Sequence, residues 1–121
     1  MMSRYVILEH DYPALHWDFM LEDGSALQTW RLAAVPAIGE AISAIHLFAH
    51  RLLYLDYEGP VSHGRGQVIR WDAGTFVWLT REEGKVAVQL LGDRLQGEVI
   101  LQRVKTDEWS FSFTVQPVAG K

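Results

Sequence analysis

Two imidazoles and a carboxylate lie close together near the N-terminus of the 121-residue chain, in the segment His10-Asp11-Tyr12-Pro13-Ala14-Leu15-His16-Trp17-Asp18. If Leu15 to Glu22 is extended, alternate residues share a face, so His16, Asp18, Met20 and Glu22 point one way and Trp17, Phe19 and Leu21 the other. The apolar set reads as a core stripe. The polar set begins with an imidazole and a carboxylate that can reach one ion without backbone distortion. His10 ends the preceding strand, and the break at Pro13 can fold it back beside them. Two neutral imidazoles and one carboxylate leave coordination positions open for water and substrate, as catalytic centres do and closed structural sites do not. Mn²⁺, Zn²⁺ or Fe²⁺ would suit the set. A lone His-x-Asp on a strand is more often a pair of locally satisfied polar groups, so spacing by itself does not decide the matter.

The elements that must position these residues are strands. Period-2 alternation is clearest in Lys85 to Leu90, Gly97 to Val104 and Trp109 to Val115, with turn signals at Asp72-Ala73-Gly74, Glu82-Glu83-Gly84 and Gly92-Asp93. Tyr5 to Glu9, Leu15 to Glu22 and Ala26 to Leu32 read as N-terminal strands, with a hairpin turn at Glu22-Asp23-Gly24-Ser25 and Trp30 in the core. Arg51 to Tyr57 and Gln67 to Trp71 read as further strands, and residues 37–46 as a short helix or a loop excursion. The expected fold is all-β with minor α, a compact closed or nearly closed barrel of about eight strands. One domain, residues 1–121, is expected from the length and from the lack of a dividing linker.

Composition narrows the function classes. The chain is 49% hydrophobic, 12% aromatic and 21% charged, too apolar for a disordered protein. It has no cysteine, so a metal would have to be held by His and carboxylate. A net charge of −4 argues against coating nucleic acid through many phosphate contacts, but not against gripping one end through a metal. The apolar run near the N-terminus is too short for a signal sequence, and no stretch approaches the roughly 20 apolar residues of a membrane span. A cytoplasmic, monomeric protein with no membrane partner is the expectation.

The segment from His10 to Glu22 resembles the 3′-phosphoesterase domain family of bacterial DNA ligase D, whose pattern is H-D-x-x-x-L-H-[YW]-D-F-R-L-E. A second block, His50-Arg51-Leu52-Leu53-Tyr54-Leu55-Asp56-Tyr57-Glu58-Gly59, is similar to that family's H-P-L-x-Y-x-x-[FY]-E-G. The pattern can be followed from Tyr5 to about Val104. The resemblance implies a β-barrel enzyme that uses Mn²⁺, with Zn²⁺ or Co²⁺ as alternatives, to remove a 3′-terminal ribonucleotide and a 3′-phosphate, leaving a 3′-hydroxyl for DNA repair. It implies that His10, His16 and Asp18 are the metal ligands and that His50 and Tyr54 contact the scissile phosphate. On one extended strand, positions 50 and 54 would face the same side. The partner implied is a nucleic-acid 3′ end, DNA or DNA/RNA primer-template, with a separate polymerase or ATP-dependent ligase using the product. The chain reads as a free-standing version of the domain.

Three positions depart from the pattern. Met20 stands where the family has an arginine, Leu8 replaces a glutamine, and the lysine of W-x-V-P-K-G has no counterpart in Trp30-Arg31-Leu32-Ala33-Ala34. A thioether offers phosphate neither charge nor donor. Arg31, Arg51 or Arg65 could supply the missing contact, or the chain could be a binding module that recognises 3′ ends without hydrolysis. A third reading, a small-molecule metalloenzyme on a cupin-like barrel, calls for ligands on later strands, and no histidine follows His63. His46 reads as a core or edge histidine and His63 as a solvated loop residue. Trp71, Trp78 and Trp109 read as core.

Overall fold

The computed structural model describes residues 2–115. Nine strands form one antiparallel sheet: β1 (Ser3–His10), β2 (His16–Asp23), β3 (Ala26–Leu32), β4 (Ile42–Arg51), β5 (Gly59–Pro60), β6 (Gln67–Glu82), β7 (Lys85–Gly92), β8 (Gln96–Lys105) and β9 (Glu108–Thr114). The order is β1-β2-β3-β4-β9-β8-β7-β6, and pairing of β1 with β6 closes it into an eight-stranded barrel, with β5 as an extra two-residue strand on β6. Closure removes the free sheet edges that would otherwise invite edge-to-edge pairing. Among the described residues, no helix is long and apolar enough to cross a membrane.

Alternation along the strands sorts side chains between two apolar clusters. Tyr5, Ile7, Phe19, Leu21, Trp30 and Leu32 join Phe76, Val88, Leu90, Val99, Leu101, Trp109, Phe111 and Phe113 in the main core. Their neighbours of opposite parity, Val6, Leu8, Met20 and Leu27, form a second cluster with Leu55 and Val68. Both faces of the β1-β2-β3 region are therefore dry, because the segment after β4 folds over the face that would otherwise meet water.

Three stretches differ from the sequence reading. The excursion expected over 37–46 ends at Ala41: β4 starts at Ile42, where Ile42 and Ala44 are buried between exposed neighbours. This strand must pair with both β3 and β9 for the barrel to close, and that demand overrides the weak local signal. The strand expected over Arg51 to Tyr57 is not there: Arg51 ends β4, and Leu52–Leu55 is a 3-10 turn that plants Leu55 in the second cluster. The expected turn at Asp72-Ala73-Gly74 is absent, and β6 continues through it, with only a shift of register against β1 between Arg70 and Asp72. Gly74 there allows close approach of β7, since a Cβ would stand 2.2 Å from the Leu91 carbonyl oxygen. Asp72 is buried, accepting hydrogen bonds from the Tyr5 hydroxyl at 2.5 Å and from the Arg94 and Leu95 amides.

Candidate functional site

The site lies on the second-cluster face, where β1 ends and β2 begins. His10 pairs with His16 in the β1–β2 register, and Asp18 follows on the same face of β2. Nitrogen and oxygen atoms from these three side chains all lie within 4.8 Å of one another, a grouping that could hold a metal ion. His16 Nε2 is 3.2 Å and His10 Nδ1 3.7 Å from the same oxygen, Asp18 Oδ2. Ligands about 2.1 Å from one ion at tetrahedral to octahedral angles stand roughly 3–3.5 Å apart, so the cluster needs little adjustment to accept one.

The outward nitrogens explain why these rings are useful. His16 Nδ1 lies 2.9 Å from the Ala14 carbonyl oxygen and His10 Nε2 lies 2.9 Å from that of Arg65. A carbonyl oxygen only accepts, so both ring nitrogens must donate. In the neutral rings the remaining lone pairs, on His16 Nε2 and His10 Nδ1, then converge on a carboxylate. Acceptors facing one another need a proton or a cation between them. Backbone fixing of the outer N–H is also how metal-ligating histidines are commonly oriented. Asp18 Oδ1 is buried with no hydrogen-bond partner, a free valence of the kind a cation would use.

Titration behaviour follows the same contacts. Burial pushes the Asp18 carboxyl up, but the His10 and His16 imidazoles, which donate to it when protonated, and the nearby Arg31 guanidinium outweigh it and hold it at about 2. The Asp18 carboxylate 3.7 Å away raises His10 above its ordinary value against the opposing effect of burial, aided by the Arg65 carbonyl.

The loop between β1 and β2 is tied down by the start of β6, the strand paired directly with β1. Asp11 Oδ1 accepts the Gln67 amide at 2.8 Å. Gly66, at φ +72°, sits so close that a Cβ would fall 2.2 Å from Asp11 Oδ1 and 2.7 Å from Tyr12 Cβ. The glycine loop at 64–66 is thus a backbone clamp that delivers the Arg65 carbonyl to His10, a role no side-chain pattern could reveal.

A cleft of about 250 Å³ opens beside His10 and Asp18, with His50, Tyr54, Arg31 and Arg65 among its lining residues. Its far wall depends on an irregularity in β4. Thr29 pairs with Leu47, but Leu27 pairs with His50, so β4 carries one extra residue between the two. This bulge reverses the parity and puts both Leu47 and His50 on the cleft side. His50 Nδ1 donates to the Phe48 carbonyl oxygen at 2.9 Å, leaving Nε2 as the free nitrogen. The rings of His50 and Tyr54 approach edge to face at 6.2 Å. They meet across a strand end and a 3-10 turn, not along one strand as their even spacing implied.

Other candidates fall away from the cleft. Arg51 and His63 are exposed and outside its lining. His46 is stacked on Trp30 at 4.6 Å, and burial pushes its imidazole down. Trp109 is in the core, and Trp71 and Trp78 pack against it. Met20, only 2% exposed, plugs the second cluster beneath the cleft.

Residues 8–103 match the DNA Ligase D 3'-phosphoesterase domain. The chain is similar to the multifunctional non-homologous end joining protein LigD of Pseudomonas aeruginosa, 32% identical over 122 residues, covering 89% of this chain and 14% of the relative. It is also similar to the protein of that description from Mycobacterium bovis, 33% identical over 116 residues, covering 88% of this chain and 15% of the relative. A LigD of Mycolicibacterium smegmatis is 28% identical over 126 residues, with 88% of this chain and 16% of the relative covered. The chain therefore spans about one sixth or less of the length of these curated relatives. With the family's match extending over most of a chain whose barrel gathers both of its histidine motifs at one cleft, the protein belongs to the DNA ligase D 3′-phosphoesterase domain family.

Proposed function

We propose that this protein is a metal-dependent phosphoesterase that trims nucleic-acid 3′ ends, removing a terminal ribonucleotide or a 3′-phosphate to leave a 3′-hydroxyl during end-joining repair. The observation that carries this reading is the convergence of the His10 and His16 lone pairs on Asp18 at the wall of the cleft that His50 and Tyr54 also line. His10, His16 and Asp18 would hold the ion, Mn²⁺ in first place, with Zn²⁺ or Co²⁺ as alternatives. Bound there, a divalent cation would polarise a phosphoryl oxygen and lower the pKa of water.

The remaining tasks belong to the cleft's own side chains. His50 Nε2, freed by the bond its Nδ1 makes to Phe48, is assigned the proton exchanged with the leaving 3′-oxygen. The Tyr54 hydroxyl is assigned a hydrogen bond to a phosphoryl oxygen. Partners on this reading are a DNA or DNA/RNA primer-template end in the cytoplasm and a polymerase or ligase that uses the 3′-hydroxyl.

The test is a labelled primer-template ending in a ribonucleotide or a 3′-phosphate, incubated with and without Mn²⁺. Metal-dependent product from the wild type and none from His16→Ala is expected; no product from folded wild-type protein would overturn the assignment. The apolar packing of Met20, where the family pattern has arginine, favours a second reading, a module that binds 3′-phosphate ends without turnover. Metal-dependent binding without product in the same assay would select it.

A further inference from the structure

We propose that Arg31 is the guanidinium that grips the substrate phosphoryl group in this protein. The assignment rests on the phosphoesterase reading above and adds to it the residue that replaces a phosphate clamp at position 20. Arg31 is the register partner of Asp18 across β2 and β3, which places it on the same face, beside the candidate metal ligands, and it lines the cleft. Its half-buried side chain takes part in none of the ion pairs among the described residues, and its Nε is buried with no hydrogen-bond partner. The Asp18 carboxylate across the strand pair feels the Arg31 charge but makes no hydrogen-bonded ion pair with it. The guanidinium donors are therefore left for a phosphoryl group arriving in the cleft, which would accept them in bidentate geometry.

The other basic candidates are less suited. Arg65 also lines the cleft, but its Nε and one terminal nitrogen already donate to the carbonyl and hydroxyl oxygens of Ser62. Arg51 is exposed and lies outside the cleft lining. Met20, with its side chain among Leu8, Leu27, Leu55 and Val68, has become part of the cleft floor. The cation has in effect moved one strand over, from β2 to β3.

The experiment compares wild type, Arg31→Ala, Arg31→Lys and Arg31→Met on an oligonucleotide with a 3′-phosphate, with inorganic phosphate as competitor and Mn²⁺ binding followed separately. Loss of a charge-assisted phosphate contact predicts a fall of about 10- to 100-fold in kcat/KM for Arg31→Ala. Arg31→Lys should retain an intermediate activity, since it keeps a point charge without the planar fork. Inhibition by inorganic phosphate should weaken in parallel, while Mn²⁺ is still bound. Should the Ala variant fail to fold, Arg31→Met keeps the packing of the stem and answers the same question.

A kcat/KM and phosphate inhibition within twofold of wild type would overturn the assignment, as would a loss of activity fully accounted for by lost Mn²⁺ binding. If wild type shows neither metal-dependent product nor phosphate-sensitive binding of the 3′-phosphate end, the phosphoesterase reading itself fails and Arg31 falls with it.

Discussion

His16 and Asp18 stand with Nε2 and Oδ2 3.2 Å apart, while Nδ1 of the same imidazole is committed to the Ala14 carbonyl. The geometry makes His16 a poor partner for Asp18 when neutral and a good one when a cation lies between them. Its ring is only 5% exposed, so neither side chain can turn to water for relief.

Removing one of this set should therefore act on metal binding first. His16→Ala or Asp18→Asn should weaken Mn²⁺ binding by more than the roughly 10- to 100-fold that loss of an outer hydrogen-bond partner costs at metal sites. Isothermal titration with Mn²⁺ and circular dichroism on the same samples separate loss of the ion from loss of the fold.

The pH dependence should change sign with the metal. In the metal-free protein His10 has a folded pKa raised above 6.5 by Asp18, so its stabilisation is fully present below pH 6.5 and is lost as pH rises through the folded value. Asp18, lowered from 3.8 to about 2, contributes stability above pH 3.8 that is lost as pH falls towards 2. Between pH 3.8 and 6.5 both contributions are fully present, and from pH 6.5 upward the stability of the metal-free protein should decline. With saturating Mn²⁺ it should instead rise over that range, because binding displaces the protons on the imidazoles. Thermal melts at several pH values, with and without Mn²⁺, check both slopes.

His50→Ala should lower kcat by about 100-fold or more, the scale of a lost proton-transfer group, with Mn²⁺ affinity retained. Tyr54→Phe removes one hydroxyl and keeps the ring against His50, so a smaller loss is expected. Single-turnover rates on the 3′-phosphate substrate measure both.

Gly66→Ala should be disproportionately harmful for a loop substitution. The left-handed backbone at φ +72° costs a non-glycine residue about 1–2 kcal/mol, and the new methyl group collides with Asp11 and Tyr12. A destabilisation of about 2 kcal/mol or more, together with weaker Mn²⁺ binding through the displaced Arg65 carbonyl, is expected in denaturant melts and metal titrations.

Met20 offers the converse case. Met20→Leu conserves apolar volume and should cost less than about 1.5 kcal/mol, whereas Met20→Ala should cost about 2–5 kcal/mol by leaving a void among Leu8, Leu27, Leu55 and Val68. Urea midpoints of the two variants test whether position 20 now serves packing.

Much of this site was legible in the chain because strand periodicity is local. His16-x-Asp18 had to share a face once β2 was extended, and His10 had to end β1 once Pro13 broke it, which is the register observed. The second motif was legible only as a pattern of residue types. His50 and Tyr54 do meet, but the bulge between Leu47 and His50 and the 3-10 turn at Leu52–Leu55 make the contact, and neither has a signal in side-chain alternation. The continuous β6 was hidden for a similar reason: Asp72 and Gly74 read as turn residues until Tyr5 and Leu91 are seen against them.

What the amino-acid sequence determined by itself was a barrel-forming alternation, the absence of thiolate ligands, and a His, His, Asp set with the spacing of one strand end and the next. These depend on residue type and on a two-residue repeat, which any reading of the chain can apply. Tertiary structure decided which atoms of that set face inward, because the backbone carbonyls of Ala14 and Arg65 assign the imidazole protons. It also decided that Arg31, not Arg51, stands beside Asp18, because cross-strand register joins residues far apart in the chain and is set by closure of the whole barrel.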